Sequence, residues 1–376
     1  MWTSILSSPR RNVHSVAGAI FLVSMVALGL TMWKGCQGLP AYIVNCPVTP
    51  TPPTNLAVLP PAIEPPPNAL CGFPLRISVP GQGASVTSPA MVTAAATVPD
   101  TLYWMRVYVD GQAVYYSFTP TINQYIFMSP GQHTIEVVAE DQAGYIATAS
   151  TQVNVTSLTA GISNIQNLSD WQSCSATLDT GRTCAAGHGV AASKLIQHQS
   201  SPSMSGSSSE FTMGGPTPYS NELYWVPLGG GDSPTHFTYD LYFYVDNGDA
   251  PRSLEFDVNQ AFGGTRWTFG TQCDFNQRGK WTVWDPLDGV WVATDVPCKH
   301  FPSNTWIHLV WNFERVGNQV HYVTLDVDNQ QYTIDAYYTA QPQWYQEEID
   351  VAFQLDGNYK QQPYDVWLDQ VTLNAY

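Results

Sequence analysis

Residues 253–260, Ser253-Leu254-Glu255-Phe256-Asp257-Val258-Asn259-Gln260, alternate apolar and polar side chains. Successive side chains of a β-strand point to opposite faces, so Leu254, Phe256 and Val258 share one face while Glu255, Asp257 and Asn259 share the other. The stretch therefore predicts a sheet with one face turned to a core and one acidic, amide-bearing face turned outward. Carboxylates and amides so spaced can bond hydroxyl groups, and paired carboxyl groups can perform acid/base chemistry.

Strand-like segments continue on both sides of this stretch, at 237–245, 266–273, 280–284, 290–293, 306–315, 319–327, 331–337, 349–355 and 365–373. With 253–259 they make ten strands and no convincing amphipathic helix, which predicts a two-sheet jelly roll over residues 157–376. The Gly- and Ser-dense stretch 181–215 reads as loops around one or two short strands. The run Trp306-Ile307-His308-Leu309-Val310, the turn at Gly317-Asn318 and the strand 320–328 resemble the strand pair of laminin-G and concanavalin A-like domains. The segment Val366-Trp367-Leu368-Asp369-Gln370-Val371 is similar to the closing strand of the same superfamily.

That resemblance gives the acidic strand a specific meaning. Laminarinase- and lichenase-type β-glucanases of this fold carry ExDxE, or the bulged ExDxxE, on a concave strand. The first Glu is the nucleophile, the Asp a helper and the last Glu the acid/base. Carried over, the motif makes Glu255 the nucleophile and Asp257 the helper. The third position is Asn259 in the regular form and Gln260 in the bulged form, and neither amide delivers a proton at neutral pH. Retaining hydrolysis needs two carboxyl groups about 5 to 5.5 Å apart. The resemblance thus implies a sugar site that binds without cutting, unless Glu347, Glu348, Asp350 or Asp356 completes a catalytic pair. A strand whose carboxylates merely bond neighbouring loops is the structural alternative.

Aromatic side chains favour a sugar site. Ten of the 13 Trp residues lie beyond Ser157, and Trp267, Trp281, Trp284 and Trp291 crowd the segments beside the acidic strand. Trp281 and Trp284 are three apart, so one faces the core and the other faces outward. Indole rings stack on apolar sugar faces, while amides such as Asn259, Gln260 and Gln272 bond hydroxyls. Any one of these Trp residues taken alone reads as core, so the cluster carries the expectation.

Upstream, residues 73–156 show short strands separated by turns. Alternation in 106–109 leads to Asp110-Gly111 and then 112–116, which reads as a hairpin. A strand follows at 134–140, and Asp141-Gln142-Ala143-Gly144 turns into a last strand ending near Val155. Seven or so strands in this length predict an immunoglobulin-like sandwich. The runs VYVDGQAV and SPGQHTIEVVAEDQAG resemble bacterial immunoglobulin-like domains of surface proteins, which implies a spacer or adhesive module. His133 reads as a strand or turn residue.

Residues 39–72 form a linker within a stretch, 39–80, that holds 12 of the 28 prolines, a density that favours an extended stem. Residues 1–38 carry Arg10 and Arg11 before an uncharged run of 18 residues, 16–33, closed by Lys34. That length sits at the lower edge of a membrane span and exceeds a usual signal-peptide core. It reads as a signal anchor with the remaining chain outside the cytoplasm, in the periplasm or at the cell surface. A cleaved signal, which would make the protein secreted, is the alternative. Cys36 after Gly35 adds lipoprotein processing, which Trp33 and Lys34 suit poorly.

Seven cysteines show no CxxC spacing, and disulfides fit an exported protein. Proximity in sequence suggests Cys174 with Cys184, Cys273 with Cys298 and Cys46 with Cys71. The histidines show no paired spacing, so no zinc site is expected. Asp246-Asn247-Gly248-Asp249 and Asp285-Pro286-Leu287-Asp288 offer oxygen ligands that make calcium possible, although both suit ion-free turns. Beyond Ser157 there are 24 acidic residues against 9 basic ones, so a polyanion such as nucleic acid would be repelled. The partners expected are a polysaccharide or cell-surface glycan, and a membrane through the N-terminal helix. A glycoside hydrolase or polysaccharide lyase, and a purely structural envelope protein, are the alternative functions.

Overall fold

Strands account for nearly all regular structure among the described residues. The computed structural model describes residues 70–158, 161–175, 190–343 and 347–376, all within one compact unit, Pro40–Tyr376. The expected anchor and most of the Pro-rich linker lie outside the described residues. Among the described residues no helix is long and apolar enough to cross a membrane.

Two β-sandwiches follow one another. The smaller packs a six-stranded sheet against a three-stranded one. Its central hairpin joins Leu102–Val109 to Gln112–Ser117 through Asp110-Gly111, both at positive φ as a tight turn of this type requires. Alternation sends Met105, Val107 and Val109 inward, where they meet Ile135 and Val137 from Gly131–Asp141. His133 ties the turn, its Nδ1 2.7 Å from Asp110 Oδ2 and its Nε2 2.8 Å from Ser129 O.

The larger sandwich packs an eight-stranded sheet against a nine-stranded one. All ten segments expected there are strands, with 266–273 divided at Gly270 into Thr265–Phe269 and Thr271–Asp274. The Ser-rich stretch contributes Ala192–Gln199 and Ser208–Gly214. Asn221–Gly229 is a further strand that the sequence reading passed over. The core between the sheets is rich in large aromatics, with Trp311, Tyr239, Tyr322 and Phe256 fully buried.

The two sandwiches meet at Gly229-Gly230-Gly231. Phe127 N donates to Gly230 O at 2.8 Å, and Gly230 N donates to Tyr125 O at 3.2 Å. A Cβ on Gly230 would fall 1.3 Å from Val114 O, so only glycine allows this backbone approach. Phe127, from the smaller sandwich, belongs to the hydrophobic core of the larger one. Arg106 Nε and Glu347 Oε2, 3.0 Å apart, form an ion pair across the same junction.

Candidate functional site

The acidic strand is Pro251–Phe262, and its two faces divide as alternation requires. Leu254, Phe256 and Val258 are fully buried in the core. Glu255, Asp257 and Asn259 line a cleft of about 2330 Å³ that runs between the two sandwiches. Pairing with Glu348–Gly357 sets Glu255 opposite Gln354, Asp257 opposite Ala352 and Asn259 opposite Asp350. The next strand, Asn221–Gly229, adds Asn221 opposite Asp356 and Trp225 opposite Ala352. The floor of the cleft is thus a ladder of carboxyl and amide groups.

Hydrogen bonds fix most of that ladder. Ser253 Oγ donates to Asp356 Oδ2 at 2.6 Å, and Gln354 Nε2 donates to Asp356 Oδ1 at 2.9 Å. Gln272 Nε2 donates to Ser253 Oγ at 2.7 Å and to Glu255 Oε1 at 3.3 Å. Asn259 Nδ2 donates to Asp350 Oδ1 at 2.8 Å, and Arg266 approaches the other oxygen of Asp350 at 3.6 Å.

Four carboxyl groups in so small an area cannot all ionise easily. Burial, then the charges of Asp356 and Asp257, hold the Glu255 carboxyl well above the usual carboxylate range. Burial raises Asp257 to about 7, against the pull of the Thr271 backbone N–H, which donates to its Oδ1 at 3.0 Å. Asp350 and Asp356 are also raised by burial, with Arg266 opposing the shift at Asp350 and Ser253 opposing it at Asp356.

Gly270 brings the aromatic part of the site up to this ladder. A Cβ there would stand 2.9 Å from Trp284 Cβ and 3.5 Å from Asp257 Oδ1, so the glycine lets Trp284 settle beside the Asp257 carboxyl. Trp284 pairs across the strands with Trp291, their rings 5.1 Å apart and nearly edge to face. Both indoles are half-buried and both line the cleft, as does Trp225.

Three residues expected in the site lie elsewhere. Trp281 is packed in the core against Trp311, at a ring separation of 5.9 Å, because its register opposite Cys273 gives it the inward parity. Trp267 is also inward: it stacks on Phe262 at 4.9 Å and donates Nε1–H to Gly317 O at 3.1 Å. Gln260 is fully buried, and its Nε2 donates to Gly231 O and Pro234 O at 2.9 and 3.1 Å. The strand carries no bulge at Asn259, so Gln260 follows the parity of Val258, and Asn259 holds the third position of the motif.

The sequence reading gave no place in the site to Trp225, Gln354, Ser253 or Arg266. Reading Leu223, Trp225 and Pro227 as one face of a strand would have found the first of these.

The possible calcium turns spend their oxygens on the chain itself. Asp246 Oδ1 accepts from Asp365 N at 2.9 Å, Asp249 Oδ1 lies 3.1 Å from His300 Nδ1, and Asp285 Oδ1 accepts from Asp288 N at 3.2 Å. Among the described residues no three His, Cys, Asp or Glu side chains converge on a metal position. Cys273 and Cys298 form a disulfide with Cα atoms 5.7 Å apart. Cys174 is disulfide-bonded and buried. Cys46 and Cys184 lie outside the described residues, and with them the expected pairs Cys46–Cys71 and Cys174–Cys184.

No protein-family model matches the sequence, and no curated protein is significantly similar to it. Solved structures give distant matches. One is a structure of the carbohydrate-binding modules of the β-sandwich superfamily, 11% identical, covering 80% of this chain and 97% of that one at a TM-score of 0.31. A second is a fibronectin(III)-like module of Clostridium thermocellum CbhA, 17% identical, covering 23% of this chain and 99% of that one at a TM-score of 0.21. A third is the carbohydrate recognition domain of Emp46p in its metal-free form, 10% identical, covering 49% of this chain and 87% of that one at a TM-score of 0.27.

Proposed function

We propose that the chain is an extracytoplasmic glycan-recognition protein, anchored by its N-terminal segment, in which an immunoglobulin-like sandwich is followed by a concanavalin A-like one that binds carbohydrate without cleaving it. The observation that carries this reading is the cleft floor, where Glu255, Asp257, Asn259 and Gln272 stand beside the indoles of Trp284 and Trp291. Carboxyl and amide groups recessed at the bottom of a cleft beside half-buried rings suit the alternating hydroxyl and apolar surfaces of a sugar. Retention of the full chain on immobilised polysaccharides tests the reading. Trp284→Ala/Trp291→Ala is expected to lose retention, and equal retention by that variant would contradict the assignment.

A catalytic reading is favoured by one observation. Glu255 lies against Asp356, and burial with that neighbouring charge holds its carboxyl well above the usual carboxylate range, the direction a general acid requires. Register sets Asp356 opposite Ser253 and Asp350 opposite Asn259, so carboxyl groups of the neighbouring strand flank Glu255 and Asp257 on both sides. Release of reducing ends or of unsaturated products by the wild-type chain, lost in Glu255→Gln, would establish a glycoside hydrolase or lyase in place of a binding module.

A further inference from the structure

The outer face of Leu102–Val109 and Gln112–Ser117 belongs to neither core. Alternation turns Trp104, Arg106 and Tyr108 away from the inward Met105, Val107 and Val109. With Tyr116 and Phe118 they line the same cleft as Glu255 and Trp284. Trp104 is only 7% exposed, yet it is covered by its neighbours on this face and lies in neither hydrophobic core. The Arg106 guanidinium carbon stands 5.6 Å from the Trp104 ring centre and 5.1 Å from that of Tyr116. Tyr116 meets Phe118 edge to face at 4.7 Å. Phe118 is 60% exposed and Tyr103, at the same rim, 49% exposed. Scattered exposed aromatics need no explanation, but a continuous row of them along one wall of a polar cleft does.

We propose that this face is the second wall of the glycan site, so that a segment of polysaccharide made of neutral or amine-bearing sugars is held between the rings of the N-terminal sandwich and the polar floor of the C-terminal one. The proposal rests on the glycan-binding reading above and adds the wall and the sugar class to it. Charge selects the class. Eight carboxyl side chains and four arginines line the cleft, and three of those arginines, Arg106, Arg266 and Arg278, already face Glu347, Asp350 and Asp274. A uronate or sulfated chain would find three of the four cations already facing carboxyl groups, whereas hydroxyl and ammonium groups meet acceptors. The docking at Gly230 and the Arg106–Glu347 pair hold the two walls at a set separation. The N-terminal sandwich is then part of the site, where the sequence suggested a spacer.

The test uses the full chain in affinity electrophoresis through gels containing laminarin, which is neutral, chitosan, which bears amines, or alginate, which bears uronates. Laminarin or chitosan is expected to retard the wild type, and alginate is not. The Tyr103→Ala/Phe118→Ala variant changes two exposed rings, so it is expected to melt like the wild type while its affinity falls about tenfold. Phe118→Tyr should keep the affinity. If Tyr103→Ala/Phe118→Ala binds like the wild type while Trp284→Ala/Trp291→Ala does not, the second wall is refuted and the floor remains the site. Strongest retardation by alginate would overturn the sugar class. Retardation by none of the three would contradict the binding reading itself, and this inference with it.

Discussion

The carboxyl groups of Glu255 and Asp356, 101 positions apart in sequence and on adjacent strands, lie in contact beneath the amide of Gln272, whose Nε2 is 3.3 Å from Glu255 Oε1 and 3.5 Å from Asp356 Oδ2. Two carboxyls so placed share a proton more readily than they carry two charges. This cluster is costly to fold at neutral pH, and the proposed glycan-binding role would be a physical reason for retaining it.

Asp257 makes that cost measurable. Its folded-state value of about 7 lies above the roughly 3.9 of an unfolded aspartate, so between these pH values the native state binds more protons than the unfolded one. Stability therefore falls as pH rises from about 4 to about 7. Asp257→Asn, whose side-chain oxygen can still accept from Thr271 N, should raise the melting temperature by a few degrees at pH 8 and leave it unchanged near pH 3.5. Thermal unfolding at the two pH values checks this, and an equal shift at both would remove the titration as its cause.

Asp369 should behave in the opposite sense. Burial alone would push its carboxyl up, but donors from Ser205, Ser203 and Met204 outweigh burial and hold it below the usual range. Its Oδ2 accepts from Ser203 Oγ at 2.7 Å and Met204 N at 2.6 Å. A depressed value contributes stability above about pH 4 that is lost as the carboxyl protonates at lower pH. Asp369→Asn should cost on the order of 2 kcal/mol at pH 7, and less at pH 3, in denaturant titrations.

Gly230 marks the closest backbone approach of the junction. Gly230→Ala would drive a methyl group into the Val114 carbonyl and should cost more than about 3 kcal/mol, by forced backbone movement. Gly81→Ala, where a Cβ meets nothing within 4 Å, should stay within about 0.5 kcal/mol. Comparable melting temperatures for the two variants would mean that the sandwiches do not dock through this backbone contact.

The Cys273–Cys298 bond closes a loop of 25 residues beneath the strands that carry Gln272, Trp284 and Trp291. Loop-closure entropy of that size corresponds to about 3.5 kcal/mol. The double variant Cys273→Ser/Cys298→Ser should lose roughly that much stability, and added reductant should have no further effect on this loop.

The orientation of the acidic strand was legible in eight residues, because a period of two admits a single division into core and solvent faces. The hairpin at Asp110-Gly111 was equally plain, since its turn chemistry is local. What the sequence hid is non-local. Asp350 and Asp356 complete the ladder only through the register of a strand about 90 residues downstream. Trp267 and Trp281 fall inward through strand pairing, Trp267 opposite Gln260 and Trp281 opposite Cys273. Asn221–Gly229 contains Pro227 at a register shift and runs into three glycines, so it reads as loop. The same glycines make the contact between the sandwiches, which local pattern cannot reveal.

Glycan binding without turnover is tested most directly by incubating the full chain with laminarin and chitosan while following retention and release of reducing ends together, beside Glu255→Gln. Retention without product is predicted, with Glu255→Gln changing affinity by severalfold. Product released by the wild type and abolished in Glu255→Gln would contradict the account and make Glu255 a catalytic acid.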